Sequence, residues 1–256
     1  MILALDVGNT NITAGCITGG KIVHVFRIAT NITCGADEYA ILIKNMLDFR
    51  GIACGNIEGA VISSVVPPLT NAFIDSVKQL AKVEPVVVGA GVKTGLNILI
   101  DDPAQLGADI VAAAVGALAG YPLPAIIVDL GTATKMVVLN KSGYFIGGAI
   151  LPGLALSMNA LAAGTAQLPR IQLEAPSRAI CTNTIDCIKS GVMFGTAAAI
   201  DGMIARYEAE LGEQAHVVAT GGYASSVYGL CKHEMHFDPD IVLKGLQVIY
   251  EKNRKK

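Results

Sequence analysis

Ile2-Leu3-Ala4-Leu5-Asp6-Val7-Gly8-Asn9-Thr10 and Ala125-Ile126-Ile127-Val128-Asp129-Leu130-Gly131-Thr132-Ala133-Thr134 are two versions of one pattern. In each, a short apolar strand runs into an aspartate, and a tight turn bearing hydroxyls follows. A carboxylate at the end of a buried strand can hold a cation directly or through water. The glycine two residues on has no side chain, so an anion can approach the backbone closely. Backbone N–H groups and threonine hydroxyls then donate to phosphate oxygens. One such turn is weak; two at matching positions in one chain predict a duplicated fold gripping a nucleotide between its halves.

The elements around these turns recur in the same order. The first half reads as strands at 2–7, 11–18 and 21–28, a helix over 36–49 and a strand at 60–65. A helix after Pro67-Pro68 and a strand at 85–88 follow, with Pro68 suited to a first helical turn. The second half reads as a helix over 105–118, strands at 125–130, 133–139 and 143–150, and a helix after Pro152-Gly153. A long helix over 184–211 then precedes a strand at 216–219 that ends in Thr220-Gly221-Gly222. Segment 92–103 has no clear period and marks the boundary, giving domains 1–92 and 103–256. The expectation is an α/β protein with mixed sheets flanked by helices. Gly191, Gly195 and Gly202 interrupt the long helix. Close packing on a neighbouring helix accounts for them, and an adenosine lying over smooth backbone is the alternative; packing is preferred because small residues serve it readily.

Composition narrows the class. The chain is 52% hydrophobic and 16% charged, with a mean hydropathy of +0.53. The uncharged stretch 142–169 is long enough to span a bilayer, yet Gly147-Gly148, Pro152-Gly153 and Asn159 break it into strand, turn and helix. Gly120, Pro122 and Pro124 break the alanine-rich run 110–128 in the same way. No membrane partner is expected. No cationic region precedes the strand at Ile2, so no secretory leader is expected either. Cysteines 16, 34, 54, 181, 187 and 231 lack any CxxC pairing and read as reduced, buried thiols of a cytoplasmic protein. A net charge of −2, with basic residues clustered only in the tail 252–256, leaves no footprint for nucleic acid.

With Asp6-Val7-Gly8-Asn9-Thr10, Gly107-Ala108-Asp109, Asp129-Leu130-Gly131-Thr132-Ala133-Thr134, Gly147-Gly148-Ala149-Ile150-Leu151-Pro152-Gly153 and Asn183-Thr184 in order, the chain resembles the type III pantothenate kinases. These belong to the actin/hexokinase/acetate-kinase superfamily, whose halves are duplicated ribonuclease-H-like (actin-like ATPase) domains. The likeness runs from Asp6 to Thr220-Gly221-Gly222. It implies transfer of the ATP γ-phosphoryl group to the hydroxyl of pantothenate, the first step toward coenzyme A. It also implies a cytoplasmic homodimer that needs Mg²⁺ and a monovalent cation, K⁺ or NH₄⁺. Asp6, Val7, Gly8, Asn9, Thr10, Asn11, Ile12 and Thr13 would form the first phosphate loop on ATP, with Asp6 near Mg²⁺. Thr132 would touch ATP, and Asp129 would sit by the monovalent cation. Gly107, Ala108 and Asp109 would contact pantothenate, with Asp109 the catalytic base for its hydroxyl. Thr184 would reach the substrate from the side. Without the resemblance, Asp109 reads as a carboxylate complementing a helix dipole, worth under about 1 kcal/mol.

The chain departs from the family pattern at four places. Ile110 stands where an arginine usually follows Gly-Ala-Asp, and Ile100 falls where a tyrosine is common, both on the substrate side. An arginine paired with an anion is worth about 1.5–3 kcal/mol, and isoleucine cannot replace it. Lys135 and Val137 stand where threonine and aspartate are typical. Positions 133, 135 and 137 of a strand share a face. Lys135 is therefore expected either to replace the monovalent cation at Asp129 or to run to solvent along its apolar stem. These departures keep two rivals open: a nucleotide-binding, non-catalytic paralogue with a regulatory role, and a kinase for another small hydroxyl substrate. Other signals are weaker. Cys231, His233 and His236 lack a fourth zinc ligand. Ser63-Ser64 lacks the glycine frame of a nucleophile elbow. The chain has neither GxxxxGK[ST] nor a strand-linked GxGxxG.

Overall fold

A computed structural model describes residues 1–163 and 172–254. The first elements are β1 (Ile2–Val7), β2 (Asn11–Thr18), β3 (Lys21–Ala29), α1 (Ala36–Phe49), β4 (Gly59–Ser64), α2 (Pro67–Ala81), β5 (Val86–Val87) and β6 (Asn97–Ile98). Then come α3 (Ala108–Gly120), β7 (Ala125–Leu130), β8 (Ala133–Leu139), β9 (Tyr144–Pro152), α4 (Leu154–Ala163) and α5 (Thr184–Leu211). The last are β10 (His216–Thr220), α6 (Ala224–Val227), β11 (His236–Phe237) and α7 (Ile241–Asn253).

One sheet has the order β3-β2-β1-β4-β5 and the other β11-β10-β7-β8-β9-β6. In the first, β1, β2 and β3 form an antiparallel meander, and β4 and β5 add parallel to β1. In the second, β7, β8 and β9 repeat the meander, and β10 and β11 repeat the parallel pair. The expected duplication of ribonuclease-H-like folds is therefore present, strand for strand. Strand β6, from the segment without a clear period, is an addition on β9.

Each repeat builds its core from the periods of its elements. Leu3, Leu5 and Val7 alternate onto one face of β1 and meet Tyr39, Ile43 and Leu47 of α1 and Leu69, Phe73 and Val77 of α2. Those helical residues recur every fourth position, which makes one stripe per helix. In the second repeat, Ile126, Val128 and Leu130 of β7 and Met136 and Val138 of β8 face Leu154, Met193, Ala197, Ile200 and Ile204 of α4 and α5. Asn183 starts α5, its Oδ1 accepting the Asp186 N–H at 3.0 Å, and Gly212 ends it in a left-handed cap at φ 74°. Among the described residues, helix α5 is long and apolar enough to cross a membrane. It nevertheless carries Asp186, Lys189, Asp201 and Arg206, and its Val192, Met193, Ala197, Ile200 and Ile204 are buried in the second core.

The chain divides into two compact units. One comprises Met1–Leu96, Asp101–Gly120 and Asp240–Lys256; the other comprises Asn97–Ile100 and Tyr121–Pro239. This partition differs from the expected 1–92 and 103–256, because α3 and α7 belong to the first unit. Glycines make that possible: a Cβ on Gly116 would collide with Ile241 O, and one on Gly245 with Ala112 O. Helix α7 also lies on the first sheet, where a Cβ on Gly15 would come 2.8 Å from Leu243 Cδ1.

Two smaller expectations change. Of the six free cysteines only Cys16 is buried, and Cys187 is exposed. Burial pushes the Cys16 thiol up to about 11. The uncharged stretch 142–169 folds as β9 and α4, and its part beyond residue 163 lies outside the described residues.

Candidate active site

In the first unit, Asp6 lies between Thr13 of β2 and Ser63 of β4 in the strand registers. The turn after β1 is closed by the Gly8 N–H donating to Asn11 O at 3.1 Å, and a Cβ on Gly8 would stand 2.9 Å from that oxygen. Thr30, at the end of β3, buttresses the turn: its Oγ1 donates to Gly8 O at 2.6 Å and its N–H to Thr10 O at 3.0 Å. Asn9, Thr10 and Asn11 are exposed. Val7 and Ile12 are fully buried, so within the expected phosphate loop they offer backbone groups only. Ser63, beside Asp6, is fully buried, and its Oγ has no hydrogen-bond partner among the described residues.

Asp109 lies in the first turn of α3. A Cβ on Gly107 would be 2.6 Å from Asp109 Oδ1 and 3.5 Å from Val65 Cγ1. Val65 in turn donates its N–H to Val7 O at 3.0 Å. Asp109 and Asp6 are thus both at the C-terminal ends of the parallel strands β1 and β4, the edge where open α/β sheets take ligands. Asp109 Oδ1 accepts the Ile110 N–H at 2.8 Å, so the carboxylate also complements its own helix terminus. Ile110 is half-buried.

In the second unit, Asp129 and Lys135 are direct partners across the β7–β8 ladder. Lys135 Nζ lies 2.8 Å from Asp129 Oδ2, with the side chains 17% and 24% exposed, so the lysine does not run to solvent. Thr220-Gly221-Gly222 closes on the same carboxylate. Gly221 adopts φ +96°, and the Tyr223 N–H donates to Leu130 O at 3.0 Å. Thr132 is exposed on the turn, and a Cβ on Gly153 would collide with Thr132 O, which explains that glycine. Thr184 is the exposed first residue of α5, and Ile100 is half-buried just beyond β6 in this unit.

The groove along the α5 glycines had no signal in the sequence. Among the described residues, a Cβ on Gly191 or Gly195 would meet nothing within 4 Å. They face an apolar groove of about 770 Å³ shared with Leu156, Ala160 and Thr196. Thr30 and Ser63 were also missed as parts of the first site. Cys231, His233 and His236 turn to different neighbours: Cys231 Sγ to Ala197 O, His233 to Asp201, and the His236 ring to Tyr121.

Two sheets of one strand order, each with an aspartate-led turn after its first strand, define a protein of the duplicated, actin-like fold class. A putative 2-dehydro-3-deoxygalactonokinase from Sinorhizobium meliloti has a similar fold, with a TM-score of 0.65 at 13% identity over 100% of this chain and 98% of that one. Residues 2–206 match the family model for type III pantothenate kinase. The type III pantothenate kinase of Exiguobacterium sp. is 42% identical over 100% of both chains. That of Halalkalibacterium halodurans is 40% identical over 99% of this chain and 100% of its own. The chain belongs to the type III pantothenate kinase family.

Proposed function

We propose that the protein transfers the γ-phosphoryl group of ATP to the hydroxyl of pantothenate, giving 4′-phosphopantothenate and ADP, the first step of coenzyme A biosynthesis. The observation that carries the reading is kinship over the whole chain with pantothenate kinases, at 42% identity in the Exiguobacterium protein. The common location of Asp6 and Asp109 at one sheet edge supports it. Asp109 takes the proton of the attacking hydroxyl as the new O–P bond forms and the bond to the β–γ bridging oxygen breaks. Phosphoryl transfer asks little more of a protein than placement, charge neutralisation and one oriented carboxylate. The N–H groups and hydroxyls of the Gly8–Asn11 turn and of Thr132 hold phosphate oxygens. Gly107, Ala108 and Thr184 contact the acceptor.

Mg²⁺ fits the first site, because the Asp6 carboxylate and the buried Ser63 hydroxyl are hard oxygen donors of the kind it prefers. When bound, it would neutralise charge on the phosphate oxygens. A mobile monovalent cation does not fit at Asp129, where the Lys135 ammonium already stands. We assign the protein to the cytoplasm as a homodimer, a state supported by the exposed apolar side chains Ile150 and Leu156.

Ile110 and Ile100, in place of an ionic donor and a phenol, favour a second reading in which the acceptor is another small hydroxyl compound or the protein binds nucleotide without turnover. ADP release with and without pantothenate separates these. Release that depends on pantothenate supports the main reading. ATP binding with no such release supports the second.

A further inference from the structure

The Asp129–Lys135 pair is built into the sheet rather than laid on its surface. The two residues are register partners, 2.8 Å apart, and both side chains are mostly buried. The other carboxylate oxygen, Oδ1, is covered by backbone, since a Cβ on Gly221 would come 2.5 Å from it. The next pair along the same face is Ile127 and Val137, which carries no charge. A monovalent cation at Asp129 Oδ2 would have to displace the ammonium, because like charges repel strongly in a poorly solvated site. The pair adjoins the Gly131-Thr132 turn, one of the two phosphate turns, so the ammonium is a fixed positive charge where a nucleotide's phosphates are held.

We propose that Lys135 is a resident cation: its ammonium takes the position at Asp129 that the family resemblance gives to K⁺ or NH₄⁺, and nucleotide binds without a monovalent cation. The proposal rests on the reading of the protein as an ATP-using kinase. Its test therefore has one arm that needs no nucleotide. Lysine is suited to the role because its charge is a compact point on a flexible stem, close in kind to the ion it replaces.

The test compares choline, sodium, potassium and ammonium chloride at equal ionic strength, measuring thermal melting without ligand and the affinity for Mg²⁺–ATP by calorimetry. In the unmodified protein both should be indifferent to the cation. Lys135→Thr, which opens the space, should lose about tenfold or more in ATP affinity in choline. It should recover in potassium or ammonium, and its melting temperature should rise in the same salts. Lys135→Ala serves if the threonine variant does not fold. A gain of about tenfold or more in ATP affinity when potassium replaces choline in the unmodified protein overturns the proposal. A variant indifferent to every salt in both readouts also overturns it. If ATP binds in no salt, the kinase reading fails, and the melting arm alone still decides on Lys135.

Discussion

Gly221 rests against Asp129: a Cβ at position 221 would lie 2.5 Å from the carboxylate Oδ1 and 2.6 Å from Leu130 O. The Thr220-Gly221-Gly222 turn therefore closes directly on the Asp129 carboxylate. Gly221 also adopts φ +96°, which L side chains rarely take. Gly221→Ala should destabilise the protein by about 1–3 kcal/mol through strain and overlap. It should weaken ATP binding as well, because the overlap falls on Asp129. Melting and calorimetry check both effects; an unchanged melting temperature contradicts the close approach.

Asp109→Asn should lower turnover by about two orders of magnitude or more, the range for a positioned base. The amide oxygen can still accept the Ile110 N–H, now at 2.8 Å, so melting temperature and ATP affinity should hold. A variant as fast as the parent would show that Asp109 only complements its helix.

Ile110→Arg should raise pantothenate affinity by about 10- to 100-fold, if the new guanidinium makes a charge-assisted contact of ordinary strength. Calorimetry with pantothenate measures the gain. No gain, alongside tight binding by the unmodified protein, would show that the acid group of the substrate is held by other residues.

Acid stability should depend on Asp201. Burial raises its carboxyl, but the Lys232 and His233 N–H groups and the His233 ring outweigh this and hold it below its ordinary value. The Lys232 N–H reaches Oδ2 at 2.8 Å and the His233 N–H reaches Oδ1 at 3.1 Å. A lowered folded value contributes stability above the unfolded carboxyl's pKa of about 4, and this is lost as pH falls through the folded value. Asp201→Asn should therefore lower the melting temperature most near neutrality, with the gap to the parent narrowing below about pH 4. A gap that stays constant down to strong acid would contradict this.

The strands around both phosphate turns were legible because Leu3, Leu5 and Val7, and Ile126, Val128 and Leu130, follow a period of two toward a core. The span of α5 was legible, since the helix expected over 184–211 has those bounds, with Asn183 and Gly212 as its caps. Lys135 was legible as one of two outcomes, since strand period gave its face but not whether its stem would turn inward; the antiparallel register with Asp129 decided that. The unit boundary was not legible. It depends on Gly116 and Gly245, far apart in sequence, letting α3 and α7 touch. The groove lined by Gly191 and Gly195 was not legible either, because a small residue fits a packed crossing and a groove equally well. Thr30 and Ser63 carried no local signal, because a hydroxyl beside a turn acquires meaning only from the strand next to it.

The central claim, phosphorylation of pantothenate by ATP, is tested most directly by following ADP and acceptor together. With Mg²⁺, ATP and pantothenate, the protein should form 4′-phosphopantothenate and ADP in equal amounts by mass spectrometry, and Asp109→Asn should suppress both together. ADP formed at the same rate without pantothenate, with no phosphorylated acceptor, would contradict the account.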